Sequence, residues 1–203
     1  MVARAKNDCY NAKRTNVHLC ERSCVMVILG IDPGYAITGF GVVSYEKNHF
    51  TVLDYGAITT KAHTPFEQRL LTLHQQLDVL MERHHPDVMA IEELFFERNT
   101  TTAIGTAQAR GVEILAAAEA NVPVYEYTPM QIKQAVTGYG RADKNQVSQM
   151  VKMLLNLKEL PKPDDVTDAL AICICQAHTG VNAAFKAVSG YQYGRYGKKE
   201  WDI

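Results

Sequence analysis

Val25 to Ile31 (VMVILGI) carries no polar side chain and stops at Asp32-Pro33-Gly34. Side chains alternate between the two faces of a strand, so an uninterrupted apolar run marks a buried, central strand, and the Pro-Gly pair ends it in a tight turn. A carboxylate therefore sits where a buried strand emerges. The β-branched and aromatic runs Ile37–Tyr45 and Phe50–Ile58, joined by a short polar link, extend this opening into a three-stranded meander.

Helical spacing takes over at Thr64-Pro65. Thr64 as N-cap, Pro65 at the first helical position and Glu67 three residues after Thr64 form a capping box. Phe66, Leu70, Leu73, Leu77, Leu80 and Met81 then share one face until His84-His85-Pro86. Val88–Glu92 (VMAIE) is a second buried strand, and the intervening helix makes a parallel crossover available. An Ala-rich helix over Asn99–Ala120 and a core strand over Val122–Tyr127 follow. A helix capped by Thr128-Pro129 and ending at Gly138, then helices over about 143–156 and 164–179, complete a βββαβαβααα order, an α/β fold with a mixed sheet. Residues 1–25 show no period and read as an extension or artefact outside the fold. Residues 26–180 form the domain, and 181–203, with interleaved Gly, Tyr and Lys, a mobile tail.

With 203 residues, 47% of them hydrophobic and 21% charged, the chain is long enough for one well-buried domain and too short for two large ones. No run reaches the roughly 18 apolar residues of a membrane span, and the first 25 residues lack an apolar signal core, so a cytoplasmic protein with no membrane partner is expected. The five cysteines are an odd set and read as reduced thiols.

Asp32 ends one apolar strand, and Glu92, with Glu93, ends another. In open α/β sheets ligands sit at the carboxyl ends of the parallel strands, so acids from neighbouring strands converge there on one cleft. In PDDVTDALAICIC, Asp165 and Asp168 are three apart and share a helix face, with Asp164 at the N-cap. Four carboxylates at one point cannot all be ionised without countercharge. Oxygen-only donors without nearby histidine favour Mg2+, with Mn2+ as a substitute, over zinc. Two such ions about 3.5 to 4 Å apart would activate a water and stabilise the departing oxygen in phosphodiester hydrolysis. That chemistry is a nuclease's.

The segments GIDPGYAITGFGVV, AIEELFF, AQARGV, YGRADKNQV and DVTDALAI occur in an order and at spacings that resemble the RuvC family of bacterial Holliday-junction resolvases, over residues 26 to about 180. Five separated motifs make the likeness specific, whereas a strand-Asp-x-Gly opening alone also fits sugar kinases. The resemblance implies an RNase H-like mixed five-stranded sheet with helices on both faces. It implies that Asp32, Glu92, Asp165 and Asp168 are the catalytic acids and hold two Mg2+ per site. It further implies a nucleoid-associated homodimer that binds four-way junction DNA and nicks two opposed strands symmetrically, leaving 5′-phosphates. The RuvA and RuvB branch-migration proteins are the implied partners. An RNase H-like nuclease acting on RNA or an RNA:DNA hybrid is the alternative.

The net charge of −1 conceals a split: six Lys/Arg against thirteen Asp/Glu over residues 26–128, and five against one over residues 129–158. Lys133, Arg141 and Lys144, in the basic stretch, are expected DNA contacts, the two lysines at positions where the resemblance implies backbone contact near the scissile phosphate. Phe95 stands where the family stacks a base at the opened junction centre, with Phe96 beside it as a second DNA-binding candidate. Ala103, Ala107, Gly111 and Ala118 permit close approach, either at a dimer seam or against the helix's own sheet.

Overall fold

The structure, a computed structural model, describes residues 25–94 and 100–180. The strands β1 (Met26–Asp32), β2 (Ile37–Glu46), β3 (His49–Thr59), β4 (Val88–Glu92) and β5 (Val124–Tyr127) form one sheet in the order β3-β2-β1-β4-β5. The meander pairs antiparallel, while β1–β4 and β4–β5 are parallel. The helices among the described residues are α1 (Phe66–His84), α2 (Thr100–Glu119), α3 (Pro129–Thr137), α4 (Lys144–Leu154) and α5 (Asp164–Thr179).

Alternation along β1 builds two cores. Ile28 packs with Val88, Ala90 and the inner faces of α3, α4 and α5, represented by Ile132, Val151 and Leu170. Leu29 and Ile31 face the other way, into Leu73 and Leu77 of α1 and Ala109, Ala116 and Ala117 of α2. Helices therefore cover both faces, and an all-apolar β1 is what such a central strand requires.

The seat of α5 is unusually close. A Cβ on Gly30 would stand 2.3 Å from the Ala169 carbonyl oxygen, and one on Gly39 2.0 Å from that of Asp165. Bare backbone at these positions lets the helix main chain rest on β1 and β2. Gly39 is the β2 partner of Asp32, so this contact delivers the start of α5 to the end of β1.

Two caps differ from the sequence expectation. At α1 the boundary residue is Pro65, with an extended ψ of 141°, and no side chain caps the helix. Thr64 is thus one residue too far out to form the box with Glu67, and the Pro65 carbonyl instead accepts from the Gln68 and Arg69 N–H groups. At α5 the boundary falls on Pro163, also extended, which makes Asp164 the first helical residue rather than the cap. Thr128 does cap α3, with Gln131 completing a box and Gly138, at φ 76°, closing the helix. The small residues of α2 divide: Ala109, Ala116 and Ala117 meet the sheet, while Gly111 and Ala118 are exposed on the same helix face as the exposed Ile104 and Leu115.

Candidate active site

β1 and β4 run parallel with Ile31 opposite Ile91, so Asp32 and Glu92 leave the sheet side by side at the same end. Asp165 arrives through the Gly39 contact, and Asp168 follows one turn along α5. The charges of Glu92, Asp168 and Asp165 all act on the Asp32 carboxyl, and that of Asp168 acts on Glu92. The four expected acids therefore share one locality. Burial, then repulsion from these neighbours, pushes Asp32 up to about 8. Burial raises Glu92 to about 7, against the pull of Lys133 and Lys144, and it also raises Asp168. Among the described residues, every neighbouring charge that acts on Asp32 is negative.

Glu92, Lys133, Lys144 and Asp168 line a single cleft of about 220 Å³, walled by Ile132, Val147 and Ile172. Lys144 Nζ lies 3.1 Å from Asp168 Oδ2 and 3.6 Å from Asp164 Oδ2. Asp164 is turned outward to Lys162, at 3.1 Å, and that hydrogen bond holds its carboxyl below the ordinary range. Arg141 belongs to a different groove, of about 700 Å³, between α3 and the end of α5, where Met130, Tyr139 and His178 join it. The three expected DNA contacts of the basic stretch thus split: Lys133 and Lys144 face the acids, and Arg141 does not. Phe95 and Phe96 lie outside the described residues.

Two residues beside the acids went unnoticed in the sequence, both on α2. Arg110 donates through Nε to the Glu92 carbonyl at 3.2 Å and pairs with Glu126. Glu113 is fully buried; its Oε1 lies 3.0 Å from the Thr38 hydroxyl, and its Oε2 has no partner among the described residues. Burial pushes Glu113 up to about 8, opposed by Thr38 and Arg110. A signal was available: Ala109, Glu113, Ala116 and Ala117 follow the i, i+4, i+7, i+8 spacing of a buried stripe, so the glutamate falls on the face that meets the sheet.

The donor set suits hard divalent cations. All four groups are carboxylates, at least three are partly desolvated, and the mutual repulsion that raises Asp32 is what a bound cation would relieve. Nitrogen and sulfur donors of the kind zinc prefers are absent from this set.

The family model for crossover junction endodeoxyribonuclease RuvC matches residues 28–176, a span that includes the four acids, Lys133 and Lys144. The chain belongs to the RuvC family. RuvC of Alkaliphilus oremlandii (strain OhILAs) is 58% identical over 155 residues, covering 76% of this chain and 94% of the relative. RuvC of Alkaliphilus metalliredigens (strain QYMF) is 59% identical with the same coverage. Thermus thermophilus RuvC, solved in complex with Holliday junction substrate, aligns at a TM-score of 0.73 and 39% identity over 76% of this chain and 94% of its own. The yeast mitochondrial Holliday junction resolvase Ydc2, at 14% identity and a TM-score of 0.53, shares the fold. As a RuvC member the chain is an endonuclease with an RNase H-like core, and among its described residues no helix is long and apolar enough to cross a membrane.

Proposed function

We propose that this chain is a structure-selective endonuclease that resolves four-way DNA junctions in recombination and repair, acting as a homodimer that nicks two opposed strands. The observation that carries the reading is the acid cluster at the ends of β1 and β4, in which Asp32 is acted on by like charges and Lys133 and Lys144 stand beside Glu92 and Asp168. Metal-binding carboxylates beside phosphate-binding lysines are what phosphodiester cleavage needs, and neither group requires the other in a purely structural role.

Asp32, Glu92, Asp165 and Asp168 would hold two Mg2+ ions, with Mn2+ able to replace them. Asp32, on which the charges of the other three acids act, would take part in holding both ions. Cations bound there supply activation of the attacking water and stabilisation of the leaving oxygen, for 5′-phosphate and 3′-hydroxyl products. Lys133 and Lys144 neutralise phosphate oxygens and set the register of the strand without reading its sequence. Lys144 is largely exposed on a flexible stem, so it can exchange its Asp168 contact for a phosphate. Arg141 would engage an arm of the junction from its own groove, and Phe95 and Phe96 would offer rings to unpaired bases. A two-fold pair of subunits presents two sites to two opposed strands, and the exposed Ile104, Gly111, Leu115 and Ala118 face of α2 suits that contact. RuvA and RuvB are the partners that would deliver the junction.

A synthetic immobile junction, the matched linear duplex and an RNA:DNA hybrid, each with and without Mg2+, test the reading. Paired nicks confined to the junction and dependent on the metal are expected. Preferential cutting of the hybrid would replace this reading with that of an RNA-directed nuclease.

A further inference from the structure

Thr38 stands at the start of β2, and its hydroxyl reaches two oxygens: the Gly34 carbonyl at 2.6 Å and Glu113 Oε1 at 3.0 Å. A hydroxyl carries one hydrogen, and a carbonyl only accepts. At 2.6 Å the hydrogen belongs to Gly34, because two facing lone pairs would not approach so closely. The other contact then needs a hydrogen from the carboxyl. An ionised Glu113 would set lone pairs against each other at 3.0 Å and leave a charge shared with Oε2, which is buried without a partner among the described residues. A neutral acid turns both contacts into donor–acceptor pairs: Glu113 O–H to Thr38, and Thr38 O–H to Gly34.

From this hydrogen count we infer that Glu113 is a positioning residue which, as a neutral carboxylic acid, fixes through Thr38 the turn that carries Asp32. Three surroundings support the role. Gly34 closes the Asp32-Pro33-Gly34 turn directly. Gly39, next to Thr38, is both the β2 partner of Asp32 and the seat of the Asp165 backbone. Arg110, one turn before Glu113 on α2, holds the Glu92 carbonyl in the same manner. One helix thus braces both acid-bearing strand ends from behind, without placing a group among the metal-binding carboxylates. The charged groups that act across this space are Arg110, which favours ionisation, and Asp32, which opposes it; burial outweighs both the arginine and any hydrogen bond donated by Thr38.

The inference depends on the proposed function only for its activity readout. Glu113→Gln keeps a hydrogen donor toward Thr38 and should cut junctions within about threefold of the parent rate, with an unchanged Mg2+ requirement. Glu113→Ala and the near-isosteric Thr38→Val should each slow cleavage about 10- to 100-fold and raise the Mg2+ concentration for half-maximal rate, with metal-free junction binding unaltered. The double variant should be no worse than either single one. If Glu113→Ala fails to fold, Thr38→Val and Glu113→Gln still decide the matter. Infrared or 13C spectra of Glu-labelled, metal-free protein at neutral pH should contain a protonated-carboxyl signal that Glu113→Gln removes. A Gln variant as impaired as Thr38→Val, or spectra without that signal, would overturn the inference. A parent protein that leaves junctions uncut would instead overturn the proposed function, while the spectra would still answer for Glu113.

Discussion

Two groups of acids on this molecule use similar residues to different ends. His74, Asp78 and Glu119 tie α1 to α2 near the surface, their ligand atoms within 4.8 Å of one another. The imidazole presents Nδ1 to Asp78 at 3.0 Å and Nε2 to Glu119 at 2.8 Å, so the carboxylates occupy separate sides of the ring and are answered in place. At the ends of β1 and β4 the acids are deeper, and among the described residues only exposed or half-buried lysines approach them and the charges that act on Asp32 are all of its own sign. Ligand atoms lie close together in a surface group whose charges are met locally, whereas unanswered charge at depth distinguishes the proposed metal-binding acids.

The largest expected effect separates the two directly. Asp32→Asn should slow junction cleavage by about 10³-fold or more while junction affinity stays within about threefold. His74→Ala should leave cleavage within about twofold, since its contacts are partly exposed. The opposite pattern in a quantitative nicking assay would invert the comparison.

Next comes linkage to protons and metal. The folded values of Asp32 and Glu92, about 8 and about 7, exceed their ordinary values of 3.8 and 4.5, so the folded chain binds these protons more tightly than the unfolded one. Metal-free stability should accordingly be lost as pH climbs from about 4 toward about 8, and Asp32→Asn should flatten that loss. Mg2+ at about 100 times its dissociation constant should restore about 2.7 kcal/mol, most visibly at the alkaline end. A melting-temperature series over pH, with and without Mg2+, checks the sign; metal-free melting that rises over this window contradicts it. In the cleavage assay the same competition makes activity rise with pH, with added Mg2+ moving the rise to lower pH.

Gly39→Ala sharpens the contrast structurally. Its Cβ would land 2.0 Å from the Asp165 carbonyl oxygen, so α5 must shift, at a cost of about 1–3 kcal/mol in urea unfolding. Cleavage should fall with it, whereas the His74 group, on the opposite helical layer, should keep its geometry. The smallest effect belongs to Lys144→Met. Its ion pairs are well exposed, so stability should change by less than about 0.5 kcal/mol. Junction affinity should weaken with little regard to sequence, and the dependence of log affinity on log salt should lose about one contact's worth of slope.

Much of this arrangement was legible in the residues. Apolar strands that stop at acids, and two acids three apart on a helix, point to Asp32, Glu92, Asp165 and Asp168 as neighbours, and the fold brings them together. The capped helix at Thr128 followed from side-chain chemistry that acts over a few residues. What failed was either a matter of one residue or of long range. Thr64, from its box spacing to Glu67, and Asp164 are expected caps, yet in each case the neighbouring proline takes the boundary. Glu113 falls on the Ala109, Ala116 and Ala117 stripe, but which side of α2 meets the sheet is settled only by the packing. The division of Lys133 and Lys144 from Arg141 depends on how α3 and α4 pack, which no local pattern encodes.

The bare contact between Gly39 and the start of α5 has a consequence for how the cluster can vary. Side chains have rotamers, and a core built from them relaxes when one is trimmed or enlarged. Peptide resting on peptide has no such slack. The interval from the strand-borne pair of acids to the helix-borne pair is thus gauged in part by main-chain atoms, and trimming a leucine or valine elsewhere should disturb it less than a side chain added at Gly39.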